Sequence, residues 1–313
     1  MKHLMISTLT ALVLALPAAA QDSFGPLIDP QALSAATAGE SAPRVLDIRA
    51  DGDGGYGGGH IPGAVNAPYG LFRGPAENPG QLVPEDRLTE VLRGLGVTPD
   101  RPTVIVHQGS SITDFGAAAR VYWTLKSSGV SQLAILNGGM NGWVAADLPL
   151  SQDAVTPDAS DITVRFSAQW LATEDDVLAV VEGRNDALLL DARPEEFWSG
   201  KTAHGAAARP GTLPQSKYFE HAGWFGNGPA IVDAATARSL AAEQGFTGEE
   251  EIVSFCNTGH WAATNWFALS ELAGIENVKM YPESMVGWSN AGHEMANVPG
   301  LIQNLWHQIK GVF

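Results

Sequence analysis

The chain has 313 residues, 45% of them hydrophobic, and a formal net charge of −16 from 34 acidic and 18 basic residues. That acidity, with no basic stripe against it, excludes nucleic acid and anionic lipid surfaces as partners, and the apolar content excludes a disordered chain. The length suits two packed domains better than one.

Residues 1–20 read as a secretory signal peptide. Lys2 and His3 form a short basic start, an apolar run extends from Leu4 to Leu16, and Ala18-Ala19-Ala20 supplies the small residues of a cleavage site. The run is short for a membrane span, and no charged stop follows it. The expectation is a mature chain beginning near Gln21, periplasmic or secreted, with no membrane attachment. Export bears on the cysteine content. Exported chains usually pair their cysteines, but Cys256 stands alone. A lone thiol in an oxidising compartment is a liability, and keeping one suggests a use.

Residues 21–150 and 168–292 repeat one pattern, joined by a polar linker over 151–167. Each half opens with a helix start, Asp29-Pro30 and then Thr173-Glu174-Asp175-Asp176. Each runs into a buried strand ending in Asp-x-Arg, first Asp47-Ile48-Arg49 and then Asp191-Ala192-Arg193. A Gly-x-aliphatic-Pro turn follows, Gly59-His60-Ile61-Pro62 and Gly211-Thr212-Leu213-Pro214; the loop before the second is about eight residues longer and adds Lys201, His204 and Arg209. Next come helices that stop at Gly96 and Gly245, the strands Val104-Ile105-Val106 and Ile252-Val253-Ser254-Phe255, and helices expected over 115–127 and 261–272. A last strand in each half precedes a Gly-Trp element, at Trp143 and Trp288. Short apolar strands alternating with helices predict an α/β fold, a parallel sheet layered with helices in each domain. Over 293–313 the spacing of Leu301, Leu305 and Ile309 predicts a C-terminal helix docked on one of the domains.

The stretch Ser254-Phe255-Cys256-Asn257-Thr258-Gly259-His260-Trp261 delivers the only cysteine from a strand end to a helix start. Free backbone N–H groups and the positive helix end favour a thiolate there, hence a nucleophile. The alternative from position alone is a buried, inert cysteine acting as a small hydrophobe. No histidine spacing supports a metal site, and the Asp51-Gly52-Asp53-Gly54-Gly55 run lacks the ligand pattern of a calcium loop. A phosphatase built on such a loop needs arginine six residues after the cysteine, where this chain has Ala262.

The paired Asp-x-Arg strands, the Gly59-His60-Ile61-Pro62-Gly63-Ala64 turn, the Cys256 loop and the closing Gly-Trp elements resemble the tandem-domain rhodaneses, the sulfurtransferase family. The resemblance covers almost the whole mature chain. It implies two rhodanese-like domains, each a central parallel sheet flanked by helices, with an inactive N-terminal domain as scaffold and a catalytic C-terminal one. It also implies transfer of a sulfane sulfur from a small-molecule donor such as thiosulfate to a thiol or cyanide, through a Cys256 persulfide and without a cofactor or metal. Asn257, Thr258, Gly259, His260 and Trp261 form the active-site loop, Asp191 gives structural support, and Arg193 and Arg209 are possible anion contacts. The position matching Cys256 in the first half is read as Gln108, or His107 with a different gap, in a loop some three residues longer. Trp261 stands where the family pattern carries Arg or Thr. His260 is a partial substitute for that donor, and a low-activity sulfur-carrier or binding module is the alternative function.

Overall fold

The computed structural model describes residues 24–300, so the expected signal peptide lies outside the described residues. The first domain runs β1 (Leu27–Ile28), α1 (Pro30–Thr37), β2 (Arg44–Asp47), β3 (Val65–Asn66), α2 (Glu85–Gly94), β4 (Thr103–Val106), α3 (Ile112–Ser127), β5 (Leu133–Leu136) and α4 (Gly139–Ala145). The second runs α5 (Glu174–Val181), β6 (Leu188–Asp191), α6 (Glu195–Trp198), β7 (Lys217–Tyr218), α7 (Ala234–Glu243), β8 (Ile252–Phe255), α8 (Trp261–Trp266), β9 (Val278–Met280) and α9 (Ser284–Asn290).

Both sheets are parallel and share one strand order. The first is β1-β5-β4-β2-β3 and the second β9-β8-β6-β7, with Leu171 bridging Met280 where β1 lies in the first. Buried strands without polar alternation, such as Val104-Ile105-Val106, suit sheets covered on both faces. The helix starts are made as the sequence predicts. Asp29 accepts from the Ala32 N–H at 2.8 Å, and Thr173 and Asp176 form a reciprocal capping box. Of the expected C-terminal helix only 293–300 are described, and these are not helical. There Ala296 pairs antiparallel with Thr212.

The expected linker is not a free tether. Ser151 pairs with His60, Ile162 and Val164 are buried, and Arg93 Nε donates to the Ile162 carbonyl at 2.8 Å. The segment is strapped along the first domain.

One apolar cluster runs through both domains, and α3 and α8 meet at its centre. Phe115 and Tyr122 on α3 pack edge-on against Phe267, with ring centroids 5.6 and 5.0 Å apart. At the rim, Tyr122 and Lys126 both bind Glu271, at 2.7 Å each. Because α3 packs on its own sheet and on the second domain, it is apolar nearly all round. Gly116 permits the closest approach: a Cβ there would lie 2.9 Å from the His260 ring and 3.1 Å from the His260 carbonyl. Gly116→Val is therefore expected to overpack the interface and cost about 1–3 kcal/mol, read as a lower thermal midpoint. An unchanged midpoint would show that the domains do not depend on that approach.

Candidate active site

β8 carries Cys256 to its C-terminal end, and α8 starts five residues later. The Cys256 N–H donates to Ser284 Oγ (3.0 Å), whose hydroxyl donates on to the Tyr281 carbonyl (2.8 Å). The Cys256 and Asn257 carbonyls accept from the N–H groups of Met285 and Val286, both at 3.0 Å. Cys256 is 1% exposed and forms part of a cavity of about 200 Å³ with Arg73, His204, Asn257, Thr258, His260 and Trp261.

A buried ion pair fixes the loop. The Asp191 carboxylate accepts from the Arg193 main-chain N–H (3.0 Å), from Arg193 Nε (2.9 Å) and Nη2 (2.6 Å), and from Thr212 Oγ1 (2.7 Å). The same guanidinium reaches the Gly211 carbonyl (2.9 Å) and Asn257 Oδ1 (3.2 Å). Asp191 thereby ties the end of its strand to the turn at Gly211 and to the cysteine loop. The first domain repeats the device with Asp47, Arg49, the Gly59 carbonyl and Gln108 Oε1. That repetition settles the alignment: Gln108 stands opposite Asn257, and the residue opposite Cys256 is His107, not Gln108.

The two loops are equal in length, contrary to the expectation of a longer first one. Five residues separate β4 from α3 and five separate β8 from α8. The extra residues lie in α3, which starts at Ile112 rather than 115, capped by Ser111. What differs is the content. In the first domain the Asp114 carboxylate accepts from the Gly109 N–H (2.5 Å) and the Ser110 N–H (3.1 Å). In the second domain the matching groups belong to Thr258 and Gly259. Among the described residues no acceptor meets the main-chain N–H of residues 257–260. The first cradle holds its own anion, and the second is open to one from outside.

The positive charge at the site comes from residues the sequence did not suggest. Arg193 is 2% exposed and spent on its ion pair, and Arg209 lies against the His293 and Gly292 carbonyls and the Met295 sulfur. Neither lines the cavity, which corrects both as anion contacts. Arg73, from the first domain, does line it. Its guanidinium lies 5.2 Å from the Tyr69 ring centroid, and its buried Nη1 has no partner among the described residues. Arg120 on α3, 1% exposed, donates from Nη1 to the Thr258 (3.4 Å) and Gly259 (3.2 Å) carbonyls and from Nη2 to the Gly80 carbonyl (3.1 Å). Burial, and then neighbouring Arg73, push Arg120 down to about 9, so it stays cationic at neutral pH. Both act across the domain interface, where one repeat read against the other gives no signal.

His260 does not replace the missing cationic donor. Its Nε2–H donates to the Thr113 carbonyl (2.7 Å) and its Nδ1 accepts from Tyr69 (3.0 Å). Burial above all, with nearby Arg73, His221 and Arg120, holds it down to about 4. Trp261 walls the cavity, stacked on His221 at 5.1 Å and 12°, with Phe197 edge-on at 5.8 Å. His204, brought in by the longer second loop, is lowered by burial and by Arg73.

A family model described as Rhodanese-like domain matches this chain twice, over residues 29–146 and 173–291. Over 252 residues the chain is 28% identical to a thiosulfate sulfurtransferase of Azotobacter vinelandii, covering 80% of this chain and 90% of that one. It is 27% identical over 247 residues to the sulfur carrier protein TtuD of Thermus thermophilus, covering 75% and 84%. Among solved structures, the 3-mercaptopyruvate sulfotransferase SseA of Escherichia coli superposes with a TM-score of 0.68 at 22% identity, over 82% of this chain and 98% of that one. An anaerobic ergothioneine biosynthesis enzyme of Chlorobium limicola gives 0.76 at 19% identity, over 90% and 73%. At those identities the structures speak for the fold alone.

His107, His221 and His260 are each held near 4, chiefly by burial. An unfolded histidine takes its proton near pH 6.5. Between those values the unfolded chain binds more protons, so stability is complete above about pH 6.5 and falls toward pH 4, by up to about 1.4 kcal/mol per pH unit for each histidine. Thermal midpoints should drop between about pH 7 and about pH 5. A level profile would mean that these rings take up protons in the fold as readily as in the unfolded chain.

Proposed function

The chain belongs to the rhodanese-like family in both of its halves, and from that premise we propose that it is a sulfurtransferase. It moves a sulfane sulfur from a small donor such as thiosulfate to a thiol or cyanide through a persulfide on Cys256. The observation that carries this reading is the pair of cradles. One is filled by the Asp114 carboxylate, and the other is open beside the only thiol.

The Cys256 thiolate attacks the outer sulfur of thiosulfate. The new S–S bond forms as the old one breaks, and sulfite leaves with the electron pair, giving Cys–S–S⁻. Cyanide or a thiolate then attacks the terminal sulfur and releases the Cys256 thiolate. Negative charge sits on the loop sulfur throughout, where the N–H groups of residues 257–260 and the helix start favour it. Arg73 is the group suited to the anionic end of the donor and to the departing sulfite. A cavity of about 200 Å³ suits a donor of a few heavy atoms. The sulfur-carrier reading differs only in its acceptor, a protein thiol, and the relative named as a sulfur carrier favours it. Slow discharge to cyanide with fast discharge to a protein thiol would select it.

Reduced protein mixed with thiosulfate should gain one sulfur atom by intact mass, and Cys256→Ser should gain none. Arg73→Met should raise the KM for thiosulfate roughly tenfold, the worth of a lost charged hydrogen bond. No adduct with several sulfane donors would sink the assignment.

Export is proposed on the composition of residues 1–20 alone. N-terminal sequencing of protein from a periplasmic fraction should then begin near Gln21, whereas an intact Met1 on cytosolic protein would refute it.

A further inference from the structure

Among the described residues Arg120 is a buried cation with no ion-pair partner. The other arginines that build the two loops, Arg49 and Arg193, each come with an aspartate at 2.6 Å. Among the described residues Arg120 is in no ion pair. Its Nε has no partner, and its contacts are three carbonyls at 3.1–3.4 Å and the Trp123 ring, 5.4 Å from the guanidinium carbon. Those distances are long for bonds from a charged donor, which close to about 2.7–2.9 Å when they meet a carboxylate. Burying a guanidinium on such terms is costly unless another anion offsets it.

The carbonyls it holds are those of the cysteine loop. In a trans peptide the C=O and the following N–H point in opposite directions. By drawing the Thr258 and Gly259 carbonyls toward itself, Arg120 turns the Gly259 and His260 N–H groups the other way. The approach is close enough to dictate a residue. Gly259 has φ +68°, and a Cβ there would lie 2.2 Å from Arg120 Nη1 and 2.5 Å from the Pro282 carbonyl.

Among the described residues, none of the other groups near the sulfur forms an ion pair with Arg120. Arg73 adds a second cation, and Tyr69 is kept as the neutral phenol by burial. His260, His221 and His204 are all shifted toward the neutral ring. Glu283, the carboxylate in the turn before α9, favours the cationic form of Arg120, but it is held by Asn78 Nδ2 at 2.6 Å and, among the described residues, forms no ion pair with the guanidinium.

On the premise that Cys256 carries the persulfide described above, we propose that the counter-ion of Arg120 is the sulfur anion of Cys256 itself. Arg120 is then a positioning residue supplied by the first domain. It sets the direction of the loop N–H groups and favours the thiolate and persulfide over any neutral state of the sulfur. The rival role is plain interdomain adhesion through three carbonyls.

Two measurements separate them. The first is alkylation of Cys256 by iodoacetamide in wild type, Arg120→Lys and Arg120→Gln, each rate at about pH 7 divided by its rate at about pH 10, where thiols are largely ionised and differences in access cancel. The ratio should fall about tenfold or more in Arg120→Gln and by less in Arg120→Lys, which keeps the charge. The second compares wild type with Arg120→Gln. The melting temperature of each is measured after charging to the persulfide and after capping with methyl methanethiosulfonate, which adds a neutral S–CH₃ group of similar reach and releases methanesulfinate. In wild type the persulfide should melt above the capped form, and that gap should shrink in Arg120→Gln. An unchanged ratio in folded Arg120→Gln, or the same melting gap in Arg120→Gln as in wild type, makes Arg120 an adhesive and overturns the proposal. Failure to charge with any sulfane donor counts against the persulfide instead, and the alkylation ratios still decide the role of Arg120.

Discussion

The geometry of the site depends on a buried aspartate–arginine pair at the end of a central strand. Asp191 is wholly buried, and the forked contact with Arg193 leaves the guanidinium with nitrogens to spare. They fasten the carbonyl of Gly211 and the side chain of Asn257, so the end of β6, the turn before β7 and the loop after β8 are tied to one ion pair. A pair buried this deeply adds little net stability over apolar residues of similar shape, because desolvating both charges offsets their attraction. What it supplies is direction. The loop cannot slide along the sheet without breaking bonds to a charge that has no water to replace them.

The first domain applies the same constraint with other contents, and so acts as an internal control. Asp47 and Arg49 hold Gln108 as Asp191 and Arg193 hold Asn257. In place of the thiol it has His107, buried and neutral with neither ring nitrogen partnered among the described residues, and in place of an open cradle it has the Asp114 carboxylate. The first loop shows that this backbone can hold a carboxylate. The second differs in two ways: it has a sulfur at the strand end, and no side chain fills its cradle.

Much of this was legible in the sequence because it is local. The duplicated architecture, the helix caps at Asp29 and Thr173, the strand-to-loop placement of Cys256 and the family resemblance all rest on patterns within a few residues of one another. The errors have two causes. Counting along the chain cannot decide whether extra residues lengthen a loop or a helix, so the sequence leaves both Gln108 and His107 open opposite Cys256, and the arginine contacts select His107. Arg209 is a cation in the loop inserted before the catalytic turn, and sequence proximity made it attractive. The fold sends it to the carbonyls of Gly292 and His293. Arg73 and Arg120 carried no motif at all. Each reaches a site encoded more than a hundred residues away, and nothing in either repeat considered singly marks them.

That division of labour gives the domain without a thiol a definite part in the chemistry. An overall charge of −16 repels a small anion, so the donor must be drawn in by a local field inside a cavity walled by Trp261 and other low-dielectric groups. The second domain cannot make that field. Its own arginine at the loop is neutralised by Asp191, and its histidines there are held neutral by burial. Arg73 and Arg120 bring the charge, and they stay in place only while α3 lies against α8, which the absence of a side chain at Gly116 allows. The orientation of the two domains is therefore part of the active site. Loosening that contact would leave every atom of the Cys256 loop present and remove the field in which its sulfur works.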